Sequence, residues 1–143
     1  MDESRRRYNR GVTPSVRQAI ADVFRPRTDV SAVYLFGSTA RGEARPDSDV
    51  DIAVLFDVAP RSALDGPRFV LEGELERALR RPVDLVVLND APVDLRIRVL
   101  RDGELLIDRN PVTRVAYEVR TRNEAFDLEP VLARYRSTLR SQT

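Results

Sequence analysis

The chain has 143 residues, about the length of one ordinary domain, so we expect a single domain over residues 1–143. Charged residues make up 33% and hydrophobic residues 42%, and no apolar run reaches the roughly 18 residues that cross a membrane. The net charge of +1 gives no reason to expect direct nucleic-acid binding.

Cysteine, histidine and lysine are all missing, and every one of the 24 basic residues is arginine. Their absence excludes disulfides, thiolate nucleophiles, zinc–thiolate sites, Ser-His-Asp triads and the phosphate-binding lysine of a P-loop. Any bound metal must be held mainly by oxygen, which favours Mg²⁺, Mn²⁺ or Ca²⁺. General acid–base chemistry must come from Asp, Glu or Tyr.

The first half of the chain is predicted to alternate between helix and strand. Residues 1–12 form a basic arm with no apolar signal-peptide core behind it, so a cytoplasmic location is expected. Helical spacing of apolar residues begins at Pro14, and two apolar runs follow it. The predicted elements are a helix from Pro14 to before Pro26, strands over residues 30–36 and 50–56, and a short helix near residues 39–44, capped by Ser38.

The second half continues the alternation and ends in helices. A helix over residues 65–79, a strand over 83–88, a helix over 92–101 stopped by Gly103 and an edge strand over 104–107 are predicted. Residues 111–143 are predicted to form two amphipathic helices, the second capped by Asp127 with Pro130 in its first turn. We expect both to cover the sheet; the alternative is that part of their apolar stripe docks another protein. The predicted fold class is α/β, a small mixed sheet flanked by helices.

Residues 37–51 join a Gly-Ser turn to an Asp-x-Asp pair. A turn with free backbone N–H groups can hold phosphate oxygens. Asp49 and Asp51 lie at i and i+2 of a predicted strand, so both carboxylates project to the same face. Adjacent carboxylates repel unless a cation neutralises them, which predicts Mg²⁺ bridging the pair and the phosphates of a nucleotide. The alternative is a pair of surface aspartates.

Asp84 is the charged residue within the apolar run of the third strand. A charge there costs stability unless it is exposed or has a partner. As a third carboxylate it would complete a cluster for two-metal chemistry, in which one ion activates the attacking hydroxyl and the other neutralises the phosphates. Asp84 could also assist as the base; the alternative is an edge-strand aspartate that faces water.

Together these motifs resemble the nucleotidyltransferase superfamily, specifically the minimal nucleotidyltransferases. Their hallmark is a Gly-Ser turn, ten residues and then Asp-x-Asp, as in Gly37-Ser38 followed by Asp49-Val50-Asp51 here. Residues 41–43 and 46–49 are similar to those that the family usually has within this motif. Residues 83–86 resemble the family's strand that carries the third carboxylate. With the similar segment from Glu124 to Tyr135, the resemblance runs from about residue 15 to residue 140.

The resemblance implies a nucleotidyltransferase fold and transfer of a nucleoside monophosphate, usually AMP from ATP, to a hydroxyl. It implies two Mg²⁺ ions, with Mn²⁺ as a substitute, and it makes three carboxylates both metal ligands and catalytic residues: Asp49, Asp51 and Asp84. The implied nucleotide-binding residues are Gly37, Ser38, Arg41 and Ser48. For Arg41 two positions stay open, on the phosphates or on the solvent face of the short helix.

Small nucleotidyltransferases of this kind resemble the antitoxin halves of toxin–antitoxin pairs. In those pairs the partner is a HEPN-domain RNase, and AMP is placed on a tyrosine of the toxin. The resemblance therefore implies a hetero-oligomer with a HEPN toxin. The alternatives are AMP transfer to a small hydroxylated molecule such as an aminoglycoside, and a non-catalytic antitoxin that only binds its toxin.

Overall fold

The computed structural model describes residues 14–40, 42, 48–61 and 66–141. The predicted basic arm over residues 1–12 and the predicted role of Arg41 lie outside these ranges. The elements along the described chain are α1 (Pro14–Phe24), β1 (Val30–Phe36), α2 (Gly37–Ala40), β2 (Val50–Phe56), α3 (Pro67–Leu79), β3 (Val83–Val87), α4 (Val93–Asp102), β4 (Glu104–Asp108) and α5 (Pro111–Ser141).

The four strands form one mixed sheet in the order β3-β2-β1-β4. β2 runs parallel to β3 and antiparallel to β1, and β1 is also antiparallel to β4. β1 and β2 are therefore the central strands, and they are the two whose apolar runs are nearly continuous, as expected for strands buried on both faces. The prediction that β4 is an edge strand is confirmed.

Helices cover both faces of the sheet. Alternate residues of β2, such as Val50 and Ile52, pack with Ile20 of α1 and Leu75 of α3. The other set, such as Ala53, packs with Val99 of α4 and Tyr117 of α5. Because successive strand residues point to opposite faces, one strand contributes to both layers of the core. The predicted α/β class is confirmed.

The end of the chain differs from the prediction, because α5 is one helix of 31 residues and not two. Asp127 does not cap a second helix, and Pro130 lies inside the helix. A proline there removes one backbone hydrogen bond to residue i−4, which is Phe126. Phe126 is 80% exposed, so water can take up the freed carbonyl, and no glycine lies in the segment to end the helix.

Only the first half of α5 covers the sheet. Tyr117 and Thr121 are buried, and the Tyr117 hydroxyl donates to the Leu88 carbonyl at 2.7 Å. Beyond Ala125 the residues of α5 whose exposure is described are exposed, including Tyr135 at 62%. The expectation that the apolar stripe covers the sheet is therefore wrong for the second half. No helix among the described residues is long and apolar enough to span a membrane.

Several helices and strands begin or end one or two residues away from the predicted boundary. The short helix α2 begins at Gly37, so Ser38 lies within it and does not precede it as a cap. Residues 41, 43 and 44 of the predicted helix over residues 39–44 lie outside the described residues. α3 begins at Pro67, where the fixed φ of proline suits a first helical position, and not at residue 65. β3 ends at Val87 because Leu88–Asp90 turns into a 3₁₀ helix.

Asn89 in that 3₁₀ turn continues the sheet ladder where β3 stops. Its side-chain Oδ1 accepts from the Phe56 N–H at 2.9 Å, and its Nδ2 donates to the Phe56 carbonyl at 3.0 Å. One side chain thus satisfies both backbone groups of the last residue of β2.

We expect Asn89→Ala to lower the free energy of unfolding by about 1–3 kcal/mol, because it leaves both Phe56 groups unsatisfied. Asn123→Ala, on the exposed surface of α5, is the control and should change it by no more than about 0.5 kcal/mol. Urea denaturation of both variants measures the difference. Equal stabilities for the two would contradict the ladder role of Asn89.

Candidate active site

Three of the predicted site residues come together at one end of the sheet. In the strand register Phe36 pairs with Asp51, and Asp51 pairs with Asp84. Gly37 follows Phe36 directly, so the turn and two carboxylates lie side by side on β1, β2 and β3. Neighbouring strands are about 4.8 Å apart, which puts the backbones of Asp51 and Asp84 within reach of one ligand.

The two carboxylates also share a face of the sheet. Val50 and Ile52 are buried toward α1 and α3, so Asp51 projects to the opposite face, as the Asp-x-Asp spacing predicts. Val86 packs on that same α4 side, and Asp84 lies two residues before it. Asp51 is half-buried, whereas Asp49 and Asp84 are exposed. Asp84 therefore fits both interpretations of the sequence, because it is an exposed aspartate on an edge strand and also the neighbour of Asp51.

Gly37 is in contact with Asp51. Its φ of +72° lies in the left-handed region that favours glycine. A Cβ added to Gly37 would lie 3.0 Å from Cγ of Asp51 and would overlap its Oδ2. Both the backbone conformation and the space therefore require glycine here, and the close approach holds the turn against the carboxylate.

Arg81, which the sequence analysis did not select, organises the segment before Asp49. Its guanidinium donates twice to the Ser48 carbonyl, from Nε at 3.2 Å and from Nη2 at 2.8 Å. The Val50 N–H donates to the Pro82 carbonyl at 2.9 Å. Asp49 is thus held between two residues that are tied to the start of the Asp84 strand. The only local signal was an arginine directly before the Pro-Val-Asp of β3.

Two tyrosines, Tyr34 and Tyr117, are buried in the described core and are poor candidates for the general base. Burial, followed by the hydrogen bond to Glu118, raises the pKa of Tyr34 well above its usual value. Burial raises the pKa of Tyr117 to about 12. Both hydroxyls are donors in hydrogen bonds and stay protonated near neutral pH, so neither of these two buried tyrosines is a candidate base.

The donor set is suited to a hard divalent cation. Mg²⁺ prefers carboxylate oxygens as ligands. Asp51 and Asp84 are paired residues of adjacent strands, and their side chains project from the same face of the sheet. Among the described residues, however, no three acidic side chains are close enough to hold a metal ion as they stand. The backbone positions of these residues suit a divalent cation. Three carboxylates could bind it together only if the exposed side chains of Asp49 and Asp84 turned toward Asp51.

The structure also places the two serines that were predicted to bind the nucleotide. Ser38 lies in α2, and its side chain falls outside the described residues. Ser48 is half-buried, and it is its backbone carbonyl that Arg81 binds.

The family is decided by a match to residues 18–112, which fit the family model described as Polymerase beta, Nucleotidyltransferase. This chain belongs to that nucleotidyltransferase family. The matched range contains Gly37, Asp49, Asp51 and Asp84 and ends at the beginning of α5.

Among curated proteins, this nucleotidyltransferase is similar to the protein adenylyltransferase MntA of Thermococcus cleftensis. The two are 40% identical over 89 residues, which cover 62% of this chain and 86% of the relative. Among solved structures it is similar to a toxin–antitoxin complex with AMP-PNP, with a TM-score of 0.68, 26% identity and coverage of 83% of this chain and 97% of that chain.

A second solved structure shares the fold of this nucleotidyltransferase. It is the complex of a tri-AMPylated Shewanella oneidensis HEPN toxin with an MNT antitoxin, with a TM-score of 0.63 and 24% identity. The alignment covers 84% of this chain and 95% of that chain.

We expect Gly37→Ala to reduce nucleotidyl transfer by about 100-fold, because the new methyl group displaces the Asp51 carboxylate. The left-handed backbone should also cost about 1–2 kcal/mol of stability. Transfer rates and urea denaturation measure the two effects separately.

Gly73→Ala is the matched control, since its Cβ would only meet Arg77 Nη1 at 3.4 Å within helix α3. It should keep full transfer and gain about 0.5–1 kcal/mol of stability. Full activity in Gly37→Ala would show that the contact between Gly37 and Asp51 is not needed.

Proposed function

We propose that this chain is an adenylyltransferase antitoxin that moves AMP from ATP to a tyrosine hydroxyl of a partner HEPN RNase toxin. The observation that carries the proposal is the juxtaposition of Gly37, Asp51 and Asp84 on three adjacent strands. A phosphate-binding turn beside paired carboxylates is what transfer of a phosphoryl-linked group needs.

Asp49, Asp51 and Asp84 are the residues that would hold two Mg²⁺ ions. When bound, these ions neutralise phosphate charge and lower the pKa of the attacking hydroxyl. Mn²⁺ has the same oxygen preference and is the expected substitute. Gly37 and Ser38 bind the triphosphate through the turn, and we include Arg41 and Ser48 in the nucleotide site.

The proposed reaction forms one bond and breaks one. The tyrosine oxygen attacks the α-phosphorus of ATP, the bond from that phosphorus to the oxygen bridging to the β-phosphate breaks, and pyrophosphate leaves. The tyrosine proton passes to Asp84, which is exposed and so can meet an acceptor that approaches from solution.

The comparisons support the donor and the kind of acceptor. The Thermococcus relative is a protein adenylyltransferase, and the solved toxin–antitoxin complex contains AMP-PNP, an ATP analogue. The toxin class comes from the resemblance of the sequence motifs to antitoxins that act on HEPN RNases. The Shewanella antitoxin, which has the same fold, is bound to an AMPylated HEPN toxin.

The test is to incubate the purified protein with α-labelled ATP, Mg²⁺ and the toxin encoded by the neighbouring gene. We expect label on a toxin tyrosine and loss of the toxin's RNase activity. Asp49→Asn combined with Asp51→Asn should reduce labelling to background, because the paired charges that hold the ions are lost. Mass spectrometry of the toxin identifies the modified residue.

Asp29→Asn is the control, because Asp29 is an exposed aspartate in the loop between α1 and β1, outside the site. It should label the toxin at the wild-type rate. The proposal would be contradicted if the double variant labelled the toxin as well as the wild type does, or if the wild type did not label it.

A further inference from the structure

A cleft of about 350 Å³ opens beside Asp84, along the outer side of β3. Its floor is formed by β3 itself, and its walls come from the loop after β2, from Arg68 of α3 and from the segment leading into α4. In the described part of the chain β3 is an edge strand, so no further strand closes this side. The cleft therefore borders the candidate active site without belonging to the nucleotide-binding turn.

The site residues and the cleft lie in a row. Going across the sheet from β1 to β3, the order is Gly37, Asp51 and Asp84, and the cleft lies beyond Asp84. In phosphoryl-group chemistry the attacking and leaving oxygens lie roughly in line on opposite sides of the phosphorus. With the leaving phosphates on the Gly37 side, the attacking hydroxyl approaches from the Asp84 side.

We propose that this cleft is the acceptor subsite, which takes the ring of the partner's tyrosine and directs its hydroxyl to Asp84. This inference rests on the proposed function and adds where the protein acceptor enters.

The lining suits an aromatic ring with a polar tip. Apolar surface in the lining comes from Pro60, Val86, Pro92 and Leu95. A tyrosine buries its ring against apolar groups while its hydroxyl keeps a hydrogen-bond partner, here the carboxylate of Asp84. The volume is at the lower end of the roughly 300–1,000 Å³ of small-molecule sites, which suits one side chain.

Arg68 has a fixed position in the wall of the cleft. Its Nε donates to the Leu85 carbonyl at 3.2 Å, which ties the guanidinium to the open edge of β3. The arginine thus occupies a backbone acceptor that an incoming strand would otherwise use. This favours entry of a side chain over pairing of an extended segment.

The test fills the cleft and measures each substrate separately. Pro92→Trp places a bulky side chain at an exposed lining position, and Leu95→Trp places one at a half-buried lining position. We expect either variant to raise the KM for the toxin by about tenfold or more, with the affinity for Mg²⁺–ATP changed by less than about twofold. Steady-state labelling at varied toxin concentration and calorimetry with Mg²⁺–ATP give the two values.

Arg77→Trp, on the exposed surface of α3 and outside the cleft lining, is the size-matched control and should behave as wild type. Loss of Mg²⁺–ATP affinity in Pro92→Trp and Leu95→Trp would instead assign the cleft to the base of the nucleotide and overturn the inference. Unchanged toxin KM in Pro92→Trp, whose exposed position tolerates the substitution, would also overturn it. If the wild-type protein does not label the toxin, the proposed function itself is wrong. That outcome is distinguishable from failure of the cleft inference, in which the wild type labels the toxin and the variants keep its KM.

Discussion

The register of the central strand β2 is the constraint on which the site depends. β2 is paired on both sides, and Asp51 stands opposite Phe36 on one neighbour and Asp84 on the other. A slip by one residue would turn Asp51 into the core between α1 and α3 and bring Val50 to the site. The burial of Val50 and Ile52 therefore positions the carboxylates as much as any polar contact does.

Much of the fold could be predicted from local patterns. The spans of β1 and β2 were predicted to the residue, because each is a nearly continuous apolar run bounded by turn residues. The direction of Asp51, toward the face opposite Val50 and Ile52, followed from the period of a strand. α5 was missed as one helix because Pro130 and Asp127 resemble a helix start, and an exposed helix can absorb a proline that a buried one would not.

The parts that could not be predicted are contacts between residues far apart in the chain. The pairing of Asp51 with Asp84 depends on how β2 and β3 align, and no local pattern reports that alignment. The approach of Gly37 to Asp51 and the hold of Arg81 on Ser48 are of the same kind. Sequence reasoning therefore selected the carboxylates as candidates, whereas the contacts that support them and the neighbouring cleft became visible only in the folded chain.

The open edges of the sheet have a consequence for how this protein behaves in a crowded solution. Unpaired strand edges invite other chains to add on, and proteins commonly prevent this with charged side chains. In the described structure Arg68 bonds the Leu85 carbonyl on the β3 edge, and Arg17 pairs with Glu104 on the β4 edge. Both edges of the described sheet thus carry an arginine, the kind of charged side chain that discourages edge-to-edge pairing with other chains.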